Sequence, residues 1–153
     1  MKNQTLSRLL LLLSGVIAFI MVFFPALGHA SSETVFKGYE LIIGKEFIDL
    51  GSIASGQIEP NILIGLAYVL PILACLVAVL KKGAIISFIL FIGSSVLLFL
   101  VPVMTVASVT ILGNTNEIDV EWVMQFGLYI AIGLTIFGAF LSIFQSVTNS
   151  SKN

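Results

Sequence analysis

Residues 84–109 read AIISFILFIGSSVLLFLVPVMTVASV, without one Asp, Glu, Lys or Arg. A helix rises about 1.5 Å per residue, so crossing a hydrocarbon core of about 30 Å takes roughly 20 residues. An uninterrupted apolar run can satisfy its own backbone in lipid only as a helix, whereas membrane β-strands are shorter and alternate in polarity. The stretch therefore reads as a transmembrane helix. Three more runs read the same way: Leu9 to Gly28, Ile62 to Leu80 and Trp122 to Phe144, none of them containing a charged residue.

The composition demands such a reading. Of 153 residues, 58% are hydrophobic and 10% charged, against about a quarter charged in soluble domains. A water-soluble fold of this size cannot hide so much apolar surface, so the bilayer is the solvent for most of the chain. The expected architecture is all-α: one membrane domain, 1–153, forming a four-transmembrane-helix bundle. Its helices cover about 9–28, 62–80, 84–109 and 122–144, and its outer loops 29–59 and 110–121. Lys81-Lys82-Gly83 is a turn short enough to force helices two and three into an antiparallel hairpin. Pro60 suits the first turn of the second helix, and Asn116 and Asp119 are N-cap candidates for the fourth.

Charge orients the bundle. Lys2, Arg8, Lys81, Lys82 and Lys152 occupy the N-terminus, the middle turn and the C-terminus, with no acid among them. All eight acids, with Lys37 and Lys45, fall in the other two loops. Lys and Arg near helix ends favour the cytoplasm, and the count is five against two. Both termini are expected in the cytoplasm, and the protein in the cell membrane as a multi-pass species. The first run is expected to stay uncleaved, because an ordinary signal peptide has an apolar stretch of only about 7–15 residues.

The first outer loop is too apolar to be disordered. β-Branched and aromatic residues favour short strands around 34–37 and 46–50, and Gly51 to Gln57 reads as a flexible return. The loop is expected to cap the outer mouth of the bundle, with Phe36, Tyr39, Glu40 and Phe47 as its contact surface toward a partner. His29 reads as an interfacial polar residue. Glu117, Asp119 and Glu121, alternating with Ile118 and Val120, read as a solvated face rather than a Ca²⁺ site. With one histidine and one cysteine, Cys75, neither a disulfide nor a two-histidine metal motif can form within the chain. Neither a phosphate loop nor a nucleophile elbow occurs. No catalytic residue, cofactor, metal or nucleic-acid partner is expected.

Packing leaves the clearest pattern. Gly127, Ala131, Thr135 and Ala139 recur every fourth residue, a small-residue stripe that lets helix backbones approach closely. Ser14 with Ala18, and Ala74 with Ala78, repeat the spacing. Pro71 and Pro102 lie inside helices and should kink them. The functional expectation is a non-enzymatic protein acting through lipid or protein contacts, as an accessory or envelope-associated subunit or a homo-oligomer. The alternative is a small transporter or channel component working as an oligomer.

The layout of four helices with a structured first outer loop resembles that of claudin-like proteins. Their loop signature, a Trp followed by two Cys, is absent from residues 29–59. Phe36-Lys37-Gly38-Tyr39-Glu40-Leu41-Ile42-Ile43-Gly44 is similar to an element that follows the first helix in uncharacterised small bacterial four-helix membrane proteins. That likeness implies a four-helix membrane fold and no activity.

Overall fold

The computed structural model describes residues 2–30, 33–51, 53–80 and 83–150. In order, these form α1 (Lys2–Ile20), a 3₁₀ turn (Met21–Phe23), β1 (Pro25–His29), β2 (Val35–Lys37) and α2 (Gly38–Ile43). There follow β3 (Lys45–Asp49), β4 (Ala54–Ile58), α3 (Ile62–Ala78) and α4 (Ala84–Met104). The chain closes with β5 (Ala107–Ile111), β6 (Asn114–Ile118), β7 (Trp122–Met124) and α5 (Phe126–Ser150). Lys81, Lys82 and Lys152, on which the charge count draws, lie outside the described residues.

The all-α expectation is wrong. The fold is mixed, 62% helical and 22% strand, with two antiparallel sheets. One sheet has the order β2-β1-β7 and the other β3-β4-β5-β6. Each departure has a local cause. Pro25 cannot continue a helix and drives the residue before it into extended backbone; Phe24 sits at φ −102°, ψ 163°. The first helix accordingly ends at Ile20, and the apolar residues after Pro25 become β1. The apolar run from residue 84 passes from helix to strand beyond Met104. Ala107 and Ser108 of β5 are both buried, and a strand covered on both faces carries no alternation to announce it. Residues 114–118, expected as loop, are β6, and Asn116 therefore caps no helix. Trp122–Met124, expected as helix, are β7.

The turn between β5 and β6 consists of Leu112 (φ 49°) and Gly113 (φ 83°). Two left-handed residues match the twist of a tight hairpin. The cap of α3 is Asn61, whose side chain accepts from the Leu63 N–H (3.0 Å) and donates to the Met104 carbonyl (2.8 Å). One residue thus ties the start of α3 to the end of α4.

Helices α1, α3, α4 and α5 form a square bundle in which α1 and α4 each pack against α3 and α5. A side-chain hydrogen bond crosses every side of the square. Cys75 Sγ donates to the Leu11 carbonyl (3.3 Å, α3 to α1), and Ser94 Oγ to the Ala67 carbonyl (2.6 Å, α4 to α3). Ser87 and Ser142 hydroxyls lie 3.0 Å apart (α4 to α5), and Gln145 Nε2 donates to Ser7 Oγ (3.3 Å, α5 to α1). The interior between them is filled by Leu11, Ala74, Cys75, Phe91 and Ala139 toward one end, and by Ile64, Ala67, Tyr68, Leu98, Val101, Leu128 and Ala131 toward the other.

The bundle's exterior is apolar: Leu9, Leu13, Leu76, Ile89, Phe99 and Phe140 are all exposed. Among the described residues, three helical stretches are long and apolar enough to cross a membrane, Thr5–Phe23, Ala84–Met104 and Phe126–Thr148. Ile62–Ala78 is apolar but shorter.

Candidate functional site

The two segments that connect helices at one end of the bundle do not stay separate. β7 pairs with β1, and β4 with β5 over five residues, from Ala54↔Ile111 to Ile58↔Ala107. The segments are thereby zipped into one cap. Because side chains alternate along strands and cross-strand partners share a face, the larger sheet sorts its residues. Ala54, Gly56 and Ile58 share a face with Ala107, Val109, Ile111 and Ile118, and with the exposed Asn114 and Asn116 of β6. Ser55, Gln57, Ser108, Thr110, Thr115 and Glu117 share the other.

Between the sheets lies a cleft of about 260 Å³ lined by His29, Thr34, Phe36, Phe47, Ile48, Ile118, Val120 and Trp122. Its wall is an aromatic chain. Phe36 meets Trp122 edge-on (centroids 5.8 Å apart, 82°) and Phe47 likewise (6.3 Å, 72°), the arrangement that aromatic quadrupoles favour. Trp122 is pinned from below, its Nε1 donating to the Thr105 carbonyl at 3.1 Å. Phe47 has room because residue 56 is glycine; a Cβ there would lie 2.7 Å from the ring. Behind Phe36, Lys45 Nζ lies 5.9 Å from the ring centroid and bonds Glu40 Oε1 at 2.5 Å. Glu40 also accepts from the Lys37 backbone N–H at 2.8 Å and, more weakly, from the Tyr39 hydroxyl at 3.4 Å. Burial alone would raise the Glu40 carboxyl; the bonds from Lys45 and Lys37 and their charges outweigh it, and the net shift is downward.

The residues expected to form an outer contact surface divide accordingly. Phe36 and Phe47 meet on the cleft wall, Phe36 buried and Phe47 half-buried. Glu40 is buried and Tyr39 half-buried on α2, with Glu40 paired to Lys45 behind Phe36. In the helical stripe, Gly127, Ala131, Thr135 and Ala139 are all buried. Gly127 abuts β1 and the turn before it: a Cβ there would lie 2.5 Å from the Pro25 carbonyl oxygen. Ala131 belongs to the core nearer the cap and Ala139 to that farther from it. Thr135 donates to its own helix, at the Ile132 carbonyl. His29 ends strand β1 rather than a helix. Among the described residues, no group of three His, Cys, Asp or Glu is placed to hold a metal ion.

Sequence reasoning named Phe36 and Phe47 but missed the other six cleft residues: His29, Thr34, Ile48, Ile118, Val120 and Trp122. A signal existed: Ile118, Val120 and Trp122 alternate with Glu117, Asp119 and Glu121, the period-two pattern of a strand with one buried face.

Comparison of the chain with known protein families, with curated proteins and with solved structures finds no match.

Proposed function

We propose that this chain is a multi-pass protein of the cell membrane whose four helices cross the bilayer. Both termini are cytoplasmic, the two-sheet cap is outside, and the protein acts through contacts made by the cap rather than by catalysis. The observation that carries this reading is the division of its surface. The helices turn Leu, Ile and Phe outward, as a lipid-facing exterior requires. All eight acids fall, in sequence, in the cap segments, whereas five of seven basic residues fall before the first apolar run, between the second and third, or after the fourth. At 17 residues, α3 spans roughly 25 Å; Asn61 and the neighbouring α1 and α4 hold it across a bilayer that thins locally to meet it. The filled interior of a single bundle supports contact over transport, which would need a path between copies.

The test is purification in mild detergent, comparing wild type with Ile118→Asp in the cap and Phe140→Ala on the lipid face. The reading expects a stoichiometric partner held by wild type and Phe140→Ala and released by Ile118→Asp. Partner retention by Ile118→Asp, or substrate flux through the purified protein in liposomes, would overturn it.

A further inference from the structure

The larger sheet has two faces and one uncovered side. β6 pairs with β5 alone. A two-residue hairpin makes Ile111 and Asn114 a hydrogen-bonded pair, and antiparallel pairs alternate thereafter. Val109↔Asn116 and Ala107↔Ile118 are then bonded pairs, while Thr110↔Thr115 and Ser108↔Glu117 are not. The 2.8 Å contact between the Thr110 and Thr115 hydroxyls agrees, since side chains approach most closely in the non-bonded pairs. Thr115 and Glu117 consequently turn their backbone N–H and C=O groups away from β5, toward open solvent. Every residue of β6 is exposed. Such an edge is a template for another strand, and sheets normally blunt or cover it.

The surroundings of this edge say which strand. On one face, the cleft bounded by Phe36, Phe47 and Trp122 opens beside Ile118, and Ile48, Ile111 and Ile118 remain 45%, 53% and 39% exposed. On the other side stands the Glu117 carboxylate, and Asp119 lines the same groove with it, against Pro102, Val103, Thr105 and Val106; Glu121 continues the alternation in sequence beyond the end of β6. We propose that β6 is a docking edge for an extended cationic peptide segment, in which apolar side chains entering the cleft alternate with Lys or Arg side chains facing Glu117, Asp119 and Glu121. Strand addition supplies affinity through backbone bonds to Thr115 and Glu117, and the alternation supplies specificity. A second copy of this chain is a poor occupant. A second β6, Asn-Thr-Asn-Glu-Ile, carries no Lys or Arg to place against Glu117, and full antiparallel overlap sets Thr115 opposite it. The inference rests on the reading of the cap as a contact surface, and names its partner.

Trp122 is the single tryptophan of the chain and lines the cleft, so its emission reports occupancy. Protein in nanodiscs is titrated with three amidated nonapeptides lacking tryptophan: valine alternating with lysine, the same residues in two blocks, and valine alternating with glutamate. The alternating Val/Lys peptide is expected to shift Trp122 emission and to bind at least about tenfold more tightly than either other, a difference of about 1.4 kcal/mol. Its affinity should fall with added salt, as exposed charge pairs are screened. Thr115→Pro removes an N–H that points away from β5, which an edge strand tolerates; it should abolish binding while the melting temperature holds. A second variant, Glu117→Lys, should weaken binding of the alternating Val/Lys peptide and flatten its salt dependence. Equal binding of the alternating and blocked Val/Lys peptides, or unchanged binding by Glu117→Lys, would overturn the proposal. So would concentration-dependent dimerisation blocked by Thr115→Pro. Failure of every peptide with Ile118→Asp still releasing a cellular partner would sink this inference alone and leave the cap's contact role standing.

Discussion

Two glycines on the same helix separate close packing from helix propensity. A Cβ at Gly138 would lie 2.6–2.8 Å from three atoms of the Phe91 ring. That ring is fully buried in the core between α4 and α5, so it has nowhere to swing. At Gly133, nothing lies within 4 Å of the same added atom. Gly→Ala at either site gains about 1 kcal/mol of intrinsic helix preference, and the difference between the two variants removes that shared gain. What remains is overpacking, typically about 1–3 kcal/mol. Gly133→Ala is expected to be neutral or up to about 1 kcal/mol more stable than wild type. Gly138→Ala should lie about 1–3 kcal/mol below it. Reversible unfolding in mixed micelles, followed by circular dichroism, measures both. Equal stabilities for the two alanine variants would refute the placement of Gly138 against Phe91, and with it the α4–α5 contact as described.

Ala131→Leu, at a fully buried position, should lose about 1–3 kcal/mol by the same unfolding assay while membrane insertion is retained. A double-mutant cycle on Ser87 and Ser142 should give a coupling of about 0.6 kcal/mol, with about 1.7 as an upper bound; zero coupling would show that the 3.0 Å hydroxyl pair holds nothing. Because the Glu40 carboxyl titrates below its ordinary value of 4.5, it stabilises the cap above that pH, and the contribution disappears as pH falls through the lower folded value. Wild type should therefore show an acid-induced change in Trp122 fluorescence that Glu40→Gln blunts, the variant being less stable at neutral pH.

The apolar runs could be read directly because lipid-crossing helices need length and the absence of charge, and both are visible one residue at a time. What the sequence hid was where helix gives way to strand. Nothing in the composition of 84–109 distinguishes Val101 in α4 from Val109 in β5, since both belong to buried or half-buried apolar backbone. Trp122 read as the first residue of the fourth helix, but pairing with His29 of β1, ninety-odd positions earlier in the chain, puts it in a sheet; no local pattern encodes that partner. Pro25 was a legible helix stop that the expected helix over 9–28 passed through; α1 ends at Ile20 and Pro25 opens β1. On the helices, the small-residue stripe marked buried positions, but the tightest approach to a ring, Gly138 against Phe91, lay beside it.

The central claim, that the zipped cap lies outside the cell and the termini inside, is tested most directly by cysteine accessibility. In a Cys75→Ser background, Thr115→Cys on exposed β6 and a cysteine appended after Asn153 are each treated in intact cells with a membrane-impermeant maleimide. The account predicts that Thr115→Cys labels without permeabilisation and the C-terminal cysteine only after it. The reverse pattern, or labelling of both in intact cells, would contradict it.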